Sequence, residues 1–168
     1  MNRLTGLILG AMAILLSACA GFTPLYAEPG VVAGLERITV EVPNNRTGFL
    51  LREQLEDAFG RDPGQESTYR LTTRLAEQRV PLGRRADDTA TRYELTLTVS
   101  YVLTEIRTNR LVHQDVITVS TTYAAAAQPY AGVVAGQDGS ERAVAQASDM
   151  IRTDLARLFA EQAGAAAG

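Results

Sequence analysis

An α+β fold is predicted: a two-layer α/β sandwich, β-α-β-β-β-α, with two helices packed on a four-stranded mixed sheet. Three features of the sequence point to it. Tyr93, Leu95, Leu97, Val99, Tyr101 and Leu103 alternate with Glu94, Thr96, Thr98 and Ser100, and six period-two matches in β-favouring residues leave little room for a helix. Two other stretches, Thr47–Phe59 and about Gly139–Gln162, change to helical period. Neither helix can bury its apolar stripe alone, and a sheet with one apolar face supplies the missing surface.

The elements follow in order. Ile38, Val40 and Val42 alternate with Thr39 and Glu41, giving a first strand over roughly Glu36–Val42 that Pro43-Asn44-Asn45 ends. In the first helix Leu51, Leu55, Ala58 and Phe59 form one stripe; Asn45 or Thr47 can cap its start and Gly60 its end. Pro63-Gly64 marks a turn, and Tyr69, Leu71, Thr73 and Leu75 define a second strand over about Thr68–Arg79. Arg107-Thr108-Asn109-Arg110 reads as the turn of a hairpin joining strands three and four. In strand four, about Leu111–Tyr123, the apolar parity changes between Val116 and Ile117, so either a bulge lies near Asp115 or both faces are partly buried. Ala124–Gly136 is weakly patterned, Asp138 and Glu141 have capping-box spacing, and the Ala/Gly tail, residues 163–168, should fray. The first strand, first helix and second strand suit a parallel crossover, and strands two to four a meander.

The N-terminus carries an address. Met1-Asn2-Arg3 is a short cationic start, and the apolar stretch Leu4–Ala18 would reach about 22 Å as a helix, short of a hydrocarbon core of about 30 Å. A secretory signal over residues 1–18 fits better than the competing reading, a marginal N-terminal anchor. Leu16-Ser17-Ala18-Cys19 resembles a bacterial lipobox. The resemblance implies cleavage before Cys19, a thioether-linked diacylglycerol on its sulfur and acylation of the new amine; an unmodified Cys in a signal helix is the bland alternative. Ala20 and Gly21 lack an inner-membrane retention Asp, which favours the outer membrane. Several acyl chains exceed what stable anchoring needs. Residues 19–34, with Pro24, Pro29, Gly30 and Gly34, then read as a lipid-anchored leader ahead of a single domain over 35–162. Phe22, Leu25 and Tyr26 can pack locally or touch a partner.

Composition narrows the chemistry. The 168 residues include 16 Arg, no Lys, 19 acidic residues, one His and one Cys, for a net charge of −3. One Cys excludes an intramolecular disulfide or a cysteine zinc cluster, and the acidic balance gives no support to nucleic-acid binding. His113 and Asp115 share a parity and resemble half of a catalytic dyad, but no nucleophile elbow accompanies them, so a satisfied or exposed histidine is the better reading. Asp87-Asp88 and Glu53/Glu56/Asp57 read as solvated surface, and Gly132–Gly136 lacks phosphate-loop spacing. No enzyme, cofactor or metal is expected. Arg79, Arg84 and Arg85 flank Pro81-Leu82-Gly83, read as a turn. Guanidinium groups there suit a phosphate or carboxylate, with a solvated mixed-charge loop, offset by Asp87 and Asp88, as the competing reading.

Cys19 followed by Gly21-Phe22, the first strand with Asn44–Phe59, the Thr89–Leu103 strand with Tyr93, and the last helix entered from Gln137-Asp138 together resemble the lipopolysaccharide-assembly lipoprotein family. That resemblance spans most of residues 19–162. It implies a two-helix, four-stranded sandwich that plugs the lumen of an outer-membrane β-barrel, assists assembly of that barrel and promotes lipopolysaccharide delivery to the outer leaflet. It also implies lipid contact near the loop before strand three, at Arg84 or Arg85. A family Lys before the last helix has no counterpart in Val133–Gln137. The expected partners are the barrel, lipopolysaccharide and the membrane reached through the acyl chains. An auxiliary lipoprotein of another envelope-transport or cell-wall complex is the alternative, and a lipid-anchored enzyme a third class.

Overall fold

The computed structural model describes residues 29–84, 90–125 and 128–166. Among these the elements are α1 (Pro29–Leu35), β1 (Ile38–Glu41), α2 (Arg46–Phe59), β2 (Tyr69–Arg84), β3 (Ala90–Glu105), β4 (Arg110–Ala124) and α3 (Pro129–Ala166). The sheet order is β1-β2-β3-β4. The β1–β2 pair is parallel and the other two antiparallel, a crossover through α2 followed by a meander. This is the expected mixed four-stranded sheet with helices on one face.

Alternation decides the layers. Leu95, Leu97, Val99, Tyr101 and Leu103 of β3 point into the core against Leu51, Leu55 and Phe59 of α2 and Val144, Ile151 and Leu155 of α3. Asn45 caps α2, its side chain accepting from Gly48 N at 2.8 Å, and Gly60 closes the helix with φ 64°. The opposite sheet face carries no element among the described residues. There Thr96 and Ser120 hydroxyls meet at 3.2 Å, and those of Thr98 and Thr118 at 3.5 Å.

Four local readings need correction. Pro29–Leu35, read as leader, is a helix: Pro29 stands at its first position, where its missing N–H costs nothing, and Val31 and Leu35 are buried. Gly34 permits the approach to α3, because a Cβ there would lie 2.7 Å from Phe159 Cγ. Pro81-Leu82-Gly83 is strand, not turn. β1 pairs only with Tyr69–Thr72, so Pro81 lies where β2 has an open edge and a missing N–H is tolerated. The bulge in β4 falls at Val112: Leu103 pairs with His113 and Thr104 with Leu111. Finally, α3 begins ten residues before the expected start and continues through the expected tail to Ala166. Asp138 is therefore not a cap but an i,i+4 ion-pair partner of Arg142.

Candidate functional site

Arg79 lies on the helix-facing side of β2, beyond the packed core. Its guanidinium carbon stands 5.3 Å from the centre of the Tyr93 ring, and Nη1 donates to the Tyr123 hydroxyl at 3.4 Å. Tyr93 and Tyr123 pair across β3 and β4 with ring centres 5.6 Å apart, so the cation rests on an aromatic platform. The hydrogen bond to Tyr123 raises the guanidinium pKa further, keeping its charge fixed.

Arg79 and Tyr123 form one wall of a cleft of about 460 Å³. Arg46 and Thr47 enter from the start of α2, Glu77 from β2, and Gly136, Gln137 and Ser140 from α3. Arg46 pairs with Glu141 at 2.9 Å, while Glu77 accepts from Thr47 and, at 3.4 Å, from Ser140. Gly139 lets α3 cross the Tyr123 ring closely, and Thr121 Oγ1 donates to the Gly139 carbonyl at 3.0 Å. The cleft thus presents hydroxyls, an amide and two arginines at one end of the sandwich, next to the exposed Tyr130, Val133 and Val134 of α3.

Of the three arginines singled out in the sequence, Arg79 and Arg84 both lie on β2. Arg84 closes β2, its backbone opposite Ala90, five residues or about 16 Å along the strand from Arg79. Arg79 belongs to the cleft and Arg84 to the tip of the β2–β3 hairpin. Arg85, like Cys19, Asp87 and Asp88, lies outside the described residues. Arg46 was missed because its role depends on α2 and α3 meeting, a contact without local sequence signal.

His113 has a different partner from the one its neighbours suggest. Its Nε2 lies 2.6 Å from Asp154 Oδ2, the same oxygen that accepts the Tyr101 hydroxyl at 2.6 Å. Burial, and then the Asp154 hydrogen bond, hold the Tyr101 phenol well above its ordinary pKa. The trio ties β3 and β4 to α3. His113 is thus a hydrogen-bonded histidine, its partner supplied by α3.

Among the described residues no helix is long and apolar enough to cross a membrane. The family model for lipopolysaccharide-assembly proteins, LptE, matches residues 35–164. A protein from Caulobacter crescentus CB15 described as a lipoprotein is 41% identical, with a TM-score of 0.69 over 79% of this chain and 97% of that one. The rare lipoprotein B of Shewanella oneidensis shares the fold at 14% identity, with a TM-score of 0.58 over 74% of this chain and 97% of its own. A minor lipoprotein from Acinetobacter baumannii does so at 14% identity and a TM-score of 0.57, over 73% and 92% of the two chains. No curated protein matches the chain. The chain belongs to the LptE lipopolysaccharide-assembly family, as a non-catalytic outer-membrane lipoprotein with a periplasmic domain, associated with lipopolysaccharide transport.

Proposed function

We propose that this lipoprotein plugs the lumen of the β-barrel of the lipopolysaccharide translocon, assists assembly of that barrel and promotes lipopolysaccharide insertion into the outer leaflet. The observation that carries the reading is the uncovered sheet face. β2, β3 and β4 have 16, 16 and 15 residues, about 50 Å at the usual rise, against about 5–6 residues in an ordinary strand. Long strands with hydroxyl pairs on their open side suit the polar interior of a large barrel, whose apolar band is about 25 Å tall. The threonines at the middle of this face offer hydroxyls to polar walls, beside the exposed Val102 and Val116.

The anchor completes the arrangement. Residues 1–18 act as the signal, Cys19 carries the acyl chains, and a short leader joins them to α1. The two ends of the sheet differ. Tyr69 packs on Phe159 with ring centres 5.3 Å apart, at the end where α1 meets α3. Arg84 stands at the far end of the same strand, about 50 Å away. An N-terminal anchor in the inner leaflet then directs the Arg84 end of β2, with Arg79 behind it, away from the anchored leaflet. There guanidinium groups meet lipid phosphate or an acidic patch of the barrel.

Affinity capture after mild detergent extraction tests the partner: recovery of a large outer-membrane β-barrel supports the plug, and recovery of a different envelope complex overturns it. Replacing Arg84 and Arg85 together with Ala weakens lipopolysaccharide binding in a salt-sensitive assay. Unchanged affinity removes the headgroup role and leaves the plug to stand on the capture result.

A further inference from the structure

We propose that His113, Asp115 and Asp154 form a binding site for one divalent transition-metal ion, Zn²⁺ foremost, at the seam between β4 and α3. The bulge at Val112 sets the geometry, turning His113 to the helix-facing side opposite Leu103. Asp115 follows two residues later on the same side, opposite Tyr101, and α3 brings Asp154 down onto both. One ligand atom from each residue falls within 4.8 Å of the other two.

Coordination arithmetic fits this spacing. Zinc binds imidazole nitrogen and carboxylate oxygen at about 2.0–2.2 Å, so tetrahedral ligand atoms lie about 3.3 Å apart. His113 Nε2 and Asp154 Oδ2, now 2.6 Å apart, part by about 0.7 Å to reach that spacing, and Asp115 closes in by a side-chain rotation. The metal takes the place of the proton shared between His113 and Asp154. In a neutral imidazole that proton moves to Nδ1; from an imidazolium one proton leaves to solvent. Asp115 Oδ1 accepts from Val116 N at 2.7 Å, and the carboxylate has a second oxygen to offer.

The surroundings suit a cation. The Tyr101 hydroxyl stays on Asp154 and orients that carboxylate, as outer-shell donors do at metal sites. A groove of about 420 Å³ beside the trio, lined by Asp115, Asp149, Met150, Asp154 and Arg157, gives entry from solvent and room for a water as fourth ligand. Three carboxylates on that groove outnumber its single guanidinium, Arg157. One imidazole with two carboxylates selects zinc-like ions over Mg²⁺ or Ca²⁺, which favour all-oxygen sites. Bound metal pins the outer strand β4 to α3, independently of the plug reading.

The test uses the tag-free full-length lipoprotein in mild detergent, stripped with a chelator and titrated with Zn²⁺ by calorimetry and thermal melting. The expected result is one Zn²⁺ per chain and a Tm that rises with metal concentration. His113→Gln and Asp115→Asn each weaken binding by about tenfold or more. Asp115→Asn is the decisive variant. Asp115 is exposed and outside the Tyr101–Asp154–His113 hydrogen bonds, so its metal-free Tm stays at the wild-type value. Absence of Zn²⁺ binding at micromolar concentrations, or wild-type affinity in both variants, overturns the site.

Discussion

The ring of Tyr123 fills the space that a side chain at residue 139 would need. A Cβ on Gly139 would stand 2.9 Å from Tyr123 Cδ1. That contact lets a strand and a helix close the cleft around Arg79. It predicts that Gly139→Val costs about 2 kcal/mol of stability by overpacking, although Val is the better helix former. Chemical denaturation measures the loss, and unchanged stability contradicts the contact.

The α1 helix is part of the fold. Leu35 is 5% exposed and Val31 fully buried, both in the main core cluster. Leu35→Ala is expected to cost about 2–4 kcal/mol, the range for a buried leucine. A loss below about 0.5 kcal/mol, the size of a surface effect, places this residue outside the cooperative core.

Ser148 offers a gain. It is 2% exposed on the buried face of α3, and its hydroxyl has no hydrogen-bond partner among the described residues. Ser148→Ala removes that desolvated group and improves helix propensity, so stability rises by about 1 kcal/mol. A midpoint below wild type in the same denaturation series contradicts this.

The β3–β4 turn carries a pH signature. Thr108 Oγ1 donates to Glu105 Oε2 at 2.6 Å, and this bond, followed by Arg110 and Arg107, holds the Glu105 carboxyl below its ordinary pKa. The sign follows from the ionised form being favoured in the folded state. Its contribution is complete above the unfolded carboxyl pKa, about 4.3, and disappears as pH falls through the lower folded value. Carboxyl NMR should give a Glu105 midpoint below ordinary glutamate, moving upward in Thr108→Val.

Sequence periodicity revealed the fold where each element buries one clean face. In β3 every second residue from Leu95 to Leu103 is buried, and α2 shows its stripe, cap and stop. Legibility ended where apolar residues stay exposed or small residues serve packing. The first turns of α3 hold Tyr130 at 81% exposure and Val133 at 57%, so no buried stripe marks them. Gly34 reads as a turn former, yet it serves a close helix contact with Phe159. The β4 bulge shifted parity at Val112, three residues before the expected place, because Leu111 and Val116 are apolar residues on the open face. Of the candidate site, Arg79 was legible as one of the basic residues flanking Pro81-Leu82-Gly83, but its aromatic platform required the β3–β4 register.

The open sheet face bears the central claim, and contact from that face tests it most directly. A photo-crosslinking residue at Thr98 or Thr118, in the native envelope, is predicted to give an adduct with a large outer-membrane β-barrel. No barrel adduct from either position, with the variants expressed and lipidated at wild-type levels, would contradict the plug.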